Sequence, residues 1–272
     1  MKTIQKITLG LLTVGAFTAS GFAATIIDLD VATGSAEHSG LITASLAHKT
    51  GAGTLVLSNA ANAITVLEIQ EGQVDIAATG NFGGTASFTT NAGNKLNMVA
   101  AGVSVPALTM TMAGYLDCNG YATNLAGVPA GAGVLSIDGA GPLTMTVDAS
   151  ASDTPVVLMA NAVVRTGVSS SSKMPSSVTT VSAGAELKII DNTVSCAPGV
   201  TTVQSGGIVD VAALKSVPAY AAPTALAATD FFNRWDSAAL AAEGSLKFES
   251  GSILRLGDGS SWARNITVGT AL

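Results

Sequence analysis

Gly53-Thr54-Leu55-Val56-Leu57 and, nineteen residues on, Gly72-Gln73-Val74-Asp75-Ile76 are the pair of phrases on which the fold turns. In each, a glycine opens a short run whose apolar residues alternate with other types, the pattern of a half-buried strand bounded by turn residues. The phrase returns at Gly93-Asn94-Lys95-Leu96-Asn97-Met98, Gly114-Tyr115-Leu116-Asp117-Cys118 and Gly133-Val134-Leu135-Ser136-Ile137. Its first apolar residues fall at 55, 74, 96, 116 and 135, and Leu187 and Val209 head two later runs 22 residues apart. A fixed period near 20 marks a repeat architecture.

One such repeat cannot bury its Leu, Val and Ile alone, and parallel stacking buries them against the next coil. The expected fold is all-β, a parallel β-solenoid with coils of about 20 residues. At ~4.8 Å per rung it would hold roughly a dozen coils. A β-sandwich, with turn signals every 8–12 residues, fits the near-constant Gly-led spacing less well.

Composition agrees with a solenoid and removes other classes. The 272 residues include 46 Ala and 30 Gly, with 48% hydrophobic, 4% aromatic and 11% charged residues. So much apolar content excludes a disordered tail. A net charge of -6, with twelve basic residues scattered singly, excludes a nucleic-acid partner, which needs clustered Lys and Arg.

Lys2 and Lys6 precede an uncharged apolar run, Ile7 to Ala19, and Gly21-Phe22-Ala23 supplies small residues before a cleavage point. This is the pattern of a secretory signal peptide over 1–23, cut between Ala23 and Ala24. The run is too short for a membrane span, which takes about 20 apolar residues. Residues 24–272 are then one secreted solenoid domain, carrying 10 basic and 18 acidic side chains, a charge of -8.

Two stretches interrupt the period. Residues 168–177, with four consecutive serines at 169–172 and Pro175, read as a loop. Residues 218–243 are rich in Ala and Pro and include Thr229-Asp230-Phe231-Phe232-Asn233-Arg234-Trp235. Thr229 or Asp230 would cap a short helix whose Phe231, Phe232 and Trp235 form either a partner-binding surface or a face packed on the solenoid flank.

Lys49-Thr50-Gly51-Ala52-Gly53-Thr54-Leu55-Val56-Leu57-Ser58-Asn59, with Ile64-Thr65-Val66 and Gly72-Gln73-Val74-Asp75-Ile76 behind it, resembles the passenger repeat of bacterial autotransporters. The clear match covers roughly 30 residues, with looser phrases over about 180. The resemblance implies a right-handed parallel β-helix exported across a Gram-negative outer membrane, as an adhesin or surface-coat scaffold. Its partner would be a host or neighbouring-cell surface protein or glycan, or another copy of the chain. Autotransporters end in a membrane β-barrel, and the run to Leu272 holds no such strands. The chain is therefore expected to be a passenger segment lacking its barrel, and membrane contact would come only through that barrel. The alternative is a free secreted solenoid acting as a self-assembling coat or filament subunit.

Catalytic patterns are weak. Ser170-Ser171-Ser172-Lys173 matches S-x-x-K of serine β-lactamases and Lys49-Thr50-Gly51 their K-T-G, but the order is reversed and no S-D-N lies between. Gly51, Gly131, Gly139 and Gly257 each open a Gly-x-Gly without the third glycine of a dinucleotide fingerprint. His38 and His48 are the only histidines, which disfavours a Ser-His-Asp triad or a His-rich metal site. A polysaccharide lyase or hydrolase remains as the enzymatic alternative. Asp75 and Asp117, two coils apart on matching strand positions, would be its carboxylates, and a solvated outer face is the plainer reading of both. No catalytic, cofactor-binding or metal-ligating residue is nominated.

Cys118 and Cys196 are 78 residues, about four coils, apart. That separates them by ~19 Å along the axis, whereas a disulfide needs Cα atoms within ~7 Å. Thiol titration of the denatured, unreduced monomer is expected to find two free cysteines, and finding none would refute the coil count.

Overall fold

The computed structural model describes residues 9–10, 26–77, 83–89, 91–168, 172–190, 199–210 and 245–255. These are strands, turns and bends with no helix among them. Alternating strands stack in parallel into a β-solenoid, as the period predicts.

One sheet runs the length of the described rod. Its ten strands are β3 (Ser35–His38), β5 (Thr54–Leu57), β7 (Gln73–Ile76), β9 (Asn94–Met98), β12 (Gly114–Asp117), β15 (Leu135–Asp138), β17 (Val156–Leu158), β19 (Thr179–Val181), β21 (Val200–Val203) and β23 (Ser245–Phe248). A second sheet has β1 (Leu9–Gly10), β2 (Ile26–Asp30), β4 (Thr43–Thr50), β6 (Ala63–Ile69), β8 (Gly83–Phe88), β11 (Ala107–Met110) and β14 (Pro129–Ala130). The third has β10 (Val103–Val105), β13 (Thr123–Leu125), β16 (Pro142–Met145), β18 (Val163–Thr166), β20 (Glu186–Ile189), β22 (Ile208–Asp210) and β24 (Ile253–Arg255). Among the described strands, only β1 pairs antiparallel, with β2.

The core is a set of columns along the axis. Ala36, Leu55, Val74, Leu96, Leu116, Ile137, Leu158, Val181, Val203 and Phe248 pair rung to rung without a break. From Ala36 to Val203, eight steps cover 167 residues, about 21 per coil. The next step, Val203 to Phe248, is 45 residues. It takes in 211–244, so the proposed helix and the aromatic trio lie outside the described residues.

Leu116 pairs with Ile137, while Leu135 pairs with Gly114. The step there is 21 residues, not the 19 obtained by aligning the first apolar residue of each phrase. Gly114 holds the inward slot where the first apolar residue would stand, because a Cβ at Gly114 would lie 2.6 Å from the Phe88 ring. Phe88, on the preceding rung of the second sheet, is fully buried. At Gly72 the need is conformational. Its φ is +79° and a Cβ would come 2.6 Å from the Gly53 carbonyl oxygen, so only glycine turns this corner so close to the rung before.

The cross-section changes along the rod. Strands of the second sheet shorten from eight residues in β4 to two in β14, then to a single Asp148–Lys173 bridge, as the third sheet takes over from Val103. Where ladder bonds end, hydroxyls replace them. Ser152 Oγ donates to the Pro129 carbonyl at 2.5 Å, Thr154 Oγ1 to Gly131 at 3.0 Å, and Ser172 Oγ to Met145 at 2.5 Å. Within 168–177, Ser172, Met174 and Pro175 are buried.

Gly114→Ala is expected to lower stability by about 1–3 kcal/mol through overpacking against Phe88. Combining it with Phe88→Leu should recover part of the loss. Additive losses in a denaturation double-mutant cycle would refute the contact.

Candidate functional site

The outward residues of the ten-strand sheet also stack. Glu37, Val56, Asp75, Asn97, Asp117 and Asp138 form one column. Gln73, Lys95, Tyr115 and Ser136 run beside it. Asp75 and Asp117 thus lie two rungs apart, as their spacing predicts, with Asn97 between them.

Stacked carboxylates repel, and this column interposes donors. Asp75 Oδ1 accepts from Gln73 Nε2 at 2.5 Å and from Asn97 Nδ2 at 2.9 Å. Asp117 Oδ2 pairs with Lys95 Nζ at 2.9 Å, and Oδ1 accepts the Asn119 backbone N–H at 2.8 Å. Asp138 Oδ1 accepts the Gly139 N–H at 2.8 Å. Two rungs of ~4.8 Å put Asp75 and Asp117 at the outer limit of the ~5–9.5 Å used in glycoside hydrolysis, and each already serves a neighbour.

A second outward column holds Asp28, His48 and Glu68 on β2, β4 and β6. His48 Nδ1 lies 2.9 Å from Asp28 Oδ1 and Nε2 2.9 Å from Glu68 Oε2. The ring thus bridges the rung before and the rung after, with a carboxylate oxygen beside each nitrogen. His48 stands mid-strand on the outward face of β4. On the third sheet, Lys188 Nζ lies 3.3 Å from both Glu186 and Asp210, and Arg255 Nη1 lies 2.7 Å from Glu186.

The residues of the β-lactamase-like motifs are committed to structure. Lys49 points inward between Leu29 and Ile69, 0% exposed. Its Nζ donates to the carbonyls of Thr50 at 2.7 Å, Gly51 at 2.5 Å and Glu71 at 2.9 Å. Three acceptors match the three N–H bonds of an ammonium, which clasps the corner of one coil to the next. Burial lowers its pKa to about 8, against the opposing pull of Asp30 and Glu71. Lys173 Nζ lies 2.6 Å from Asp148 Oδ2. Burial raises the Asp148 carboxyl, but bonds from Lys173 and Ser150 outweigh it and hold it at about 2. Ser170 lies outside the described residues.

Cys118 is buried and free. Burial above all pushes its thiol up to about 12, so it is no nucleophile at neutral pH. Cys196, the Ala23–Ala24 junction, Phe231, Phe232 and Trp235 lie outside the described residues. Among the described residues, no three His, Cys, Asp or Glu side chains form a group able to hold a metal ion. No known protein family, curated protein or solved structure matches the chain.

The site features hidden from the sequence are the pairings. Asn97, Lys95 and Glu68 carry no motif, and only register shows that they meet Asp75, Asp117 and His48. A signal did exist, since each partner lies 20 or 22 residues away, one coil.

Lys49→Met leaves three carbonyls without their donor and is expected to lower stability by about 1–3 kcal/mol. Between pH about 8 and 10.5 the unfolded chain keeps a proton on Lys49 that the folded chain has released. Stability contributed by this residue therefore rises with pH across that window. Chemical denaturation at pH 8 and 10 should show the rise in the wild type relative to Lys49→Met, and parallel pH profiles would refute it.

Proposed function

We propose that the chain is a non-catalytic secreted or cell-surface scaffold, adhesin-like in role and an autotransporter passenger segment. Its leader, residues 1–23, directs export. Its partner is a surface protein or glycan of a host or neighbouring cell.

The observation that carries this reading is the corner at Lys49–Leu57. The phrase that resembles the passenger repeat is the one in which a buried lysine, a corner glycine and an inward Leu55–Leu57 strand join successive rungs. A motif of that kind is the joint of a rod, and a rod suits display. The long ten-strand sheet supports the same reading, since its largely polar outward columns offer a continuous surface on which a partner can dock.

Intact mass and terminal sequencing of the native polypeptide from its own cells and medium test this. The expected result is a start at Ala24 and a chain continuing beyond Leu272 into a membrane barrel, with the passenger on the cell surface. A product retained in the cytoplasm with Met1 in place would overturn export. Release of new reducing or unsaturated ends from acidic polysaccharides by the purified protein would overturn the non-catalytic reading.

A further inference from the structure

The first rung of the rod is covered by a strand that export would remove. β1 lies within residues 1–23, yet it pairs with the outer edge of β2, Leu9 against Leu29 and Gly10 against Asp28. β2 pairs with β4 on its other edge, and β3, its neighbour in the same rung, pairs only with β5 among the described strands.

The backbone direction of β2 follows from its last bonds. The Val31 N–H donates to the Thr50 carbonyl, and the Val31 carbonyl accepts from the Gly53 N–H, so Val31 bonds toward the following rung. Successive residues of a strand turn their backbone groups to opposite edges. Ile27 and Leu29 therefore bond in the same direction as Val31, while Asp28 and Asp30 turn their N–H and C=O groups to the outer edge, where Gly10 stands. The side chains of Ile27 and Leu29 are buried at the end of the apolar interior. Cleavage between Ala23 and Ala24 takes β1 away and leaves the five residues of β2 as an open edge, the state that templates pairing with another chain.

We propose that the leader strand masks a dimerisation edge, and that once residues 1–23 are removed β2 pairs antiparallel with β2 of a second copy about a two-fold axis. The inference rests on the reading of 1–23 as a cleaved export leader. β1 demonstrates that this edge takes an antiparallel strand, and two copies of one strand paired antiparallel are self-complementary, as a two-fold interface demands. The register centred on Asp28 matches all five residues of β2 and sets Ile27 opposite Leu29 of the second copy, which carries the apolar interior across the joint. Head-to-tail stacking fits worse. The last described rung is β23 of the ten-strand sheet with β24 of the third sheet, whereas the first is β3 of the ten-strand sheet with β2 of the second. Stacked head to tail, β2 would meet no strand, so assembly closes at two copies. The register has a cost, because Asp28 faces its own counterpart and like charges directly opposite destabilise a strand pair.

Sedimentation equilibrium of the intact chain and of the chain processed between Ala23 and Ala24 tests this. The intact chain is expected to stay monomeric and the processed chain to show a reversible monomer–dimer equilibrium. Asp28→Asn removes the facing charges and should tighten the dimer by about threefold or more, and added salt should act in the same direction. Asp28→Pro deletes an outward N–H without touching a bond to β4, and should abolish the dimer while the circular dichroism of the rod persists. A processed chain that is monomeric at every concentration, an intact chain that dimerises equally well, a dimer that survives Asp28→Pro, or growth beyond two copies would each overturn the proposal. If Asp28→Pro fails to fold, the intact chain and Asp28→Asn still decide. A native polypeptide that keeps Met1 would instead defeat the export reading, and the comparison of intact and processed chains would still judge the edge.

Discussion

A parallel rung sets each side chain about 4.8 Å from its counterpart above and below, and nearly everything in this protein follows from that repetition. An aliphatic choice made once must be made again on the next rung, which is why Leu55, Val74, Leu96 and Leu116 form one continuous column. The same rule works against charge. A carboxylate repeated on successive rungs meets its own kind, so Asn97 and Lys95 are interposed near Asp75 and Asp117, and His48 stands between Asp28 and Glu68. Corners obey it as well, since backbone approaching backbone at rung distance leaves no room for a Cβ at Gly72.

What the sequence revealed is what repetition writes into it. Alternation marked Leu55–Leu57 and Val74–Ile76 as strands, the period marked them as stacked, and the outward position of Asp75 and Asp117 followed. The misread register at Leu135 has a local cause. Gly114 is an inward residue chosen for the space a neighbour needs, and no count of apolar positions detects a missing side chain. Lys49 escaped for the opposite reason. A charged residue in an alternating run is assigned outward, whereas here three carbonyls at a corner hold its ammonium inside.

The handover from the second sheet to the third was equally hidden. Past β14 the hydroxyls of Ser152 and Thr154 take the carbonyls of Pro129 and Gly131, and neither residue carries a pattern that marks it for that place. The polar columns were invisible for a simpler reason. A pair such as Lys95 and Asp117 is ordinary in each strand and acquires meaning only when the coil length is known to the residue.

The unequal step between Val203 and Phe248 bears on how the chain acquires its structure. Along most of the rod a rung docks on the previous one after closing about 21 residues, so folding can advance rung by rung from a formed neighbour, as in other one-dimensional arrays. The Val203–Phe248 step spans 45 residues, and closing about twice the length of chain costs roughly 0.6 kcal/mol more in entropy. Among the described rungs, this pairing is therefore the one that rests least on local closure and most on the rung already formed beneath it.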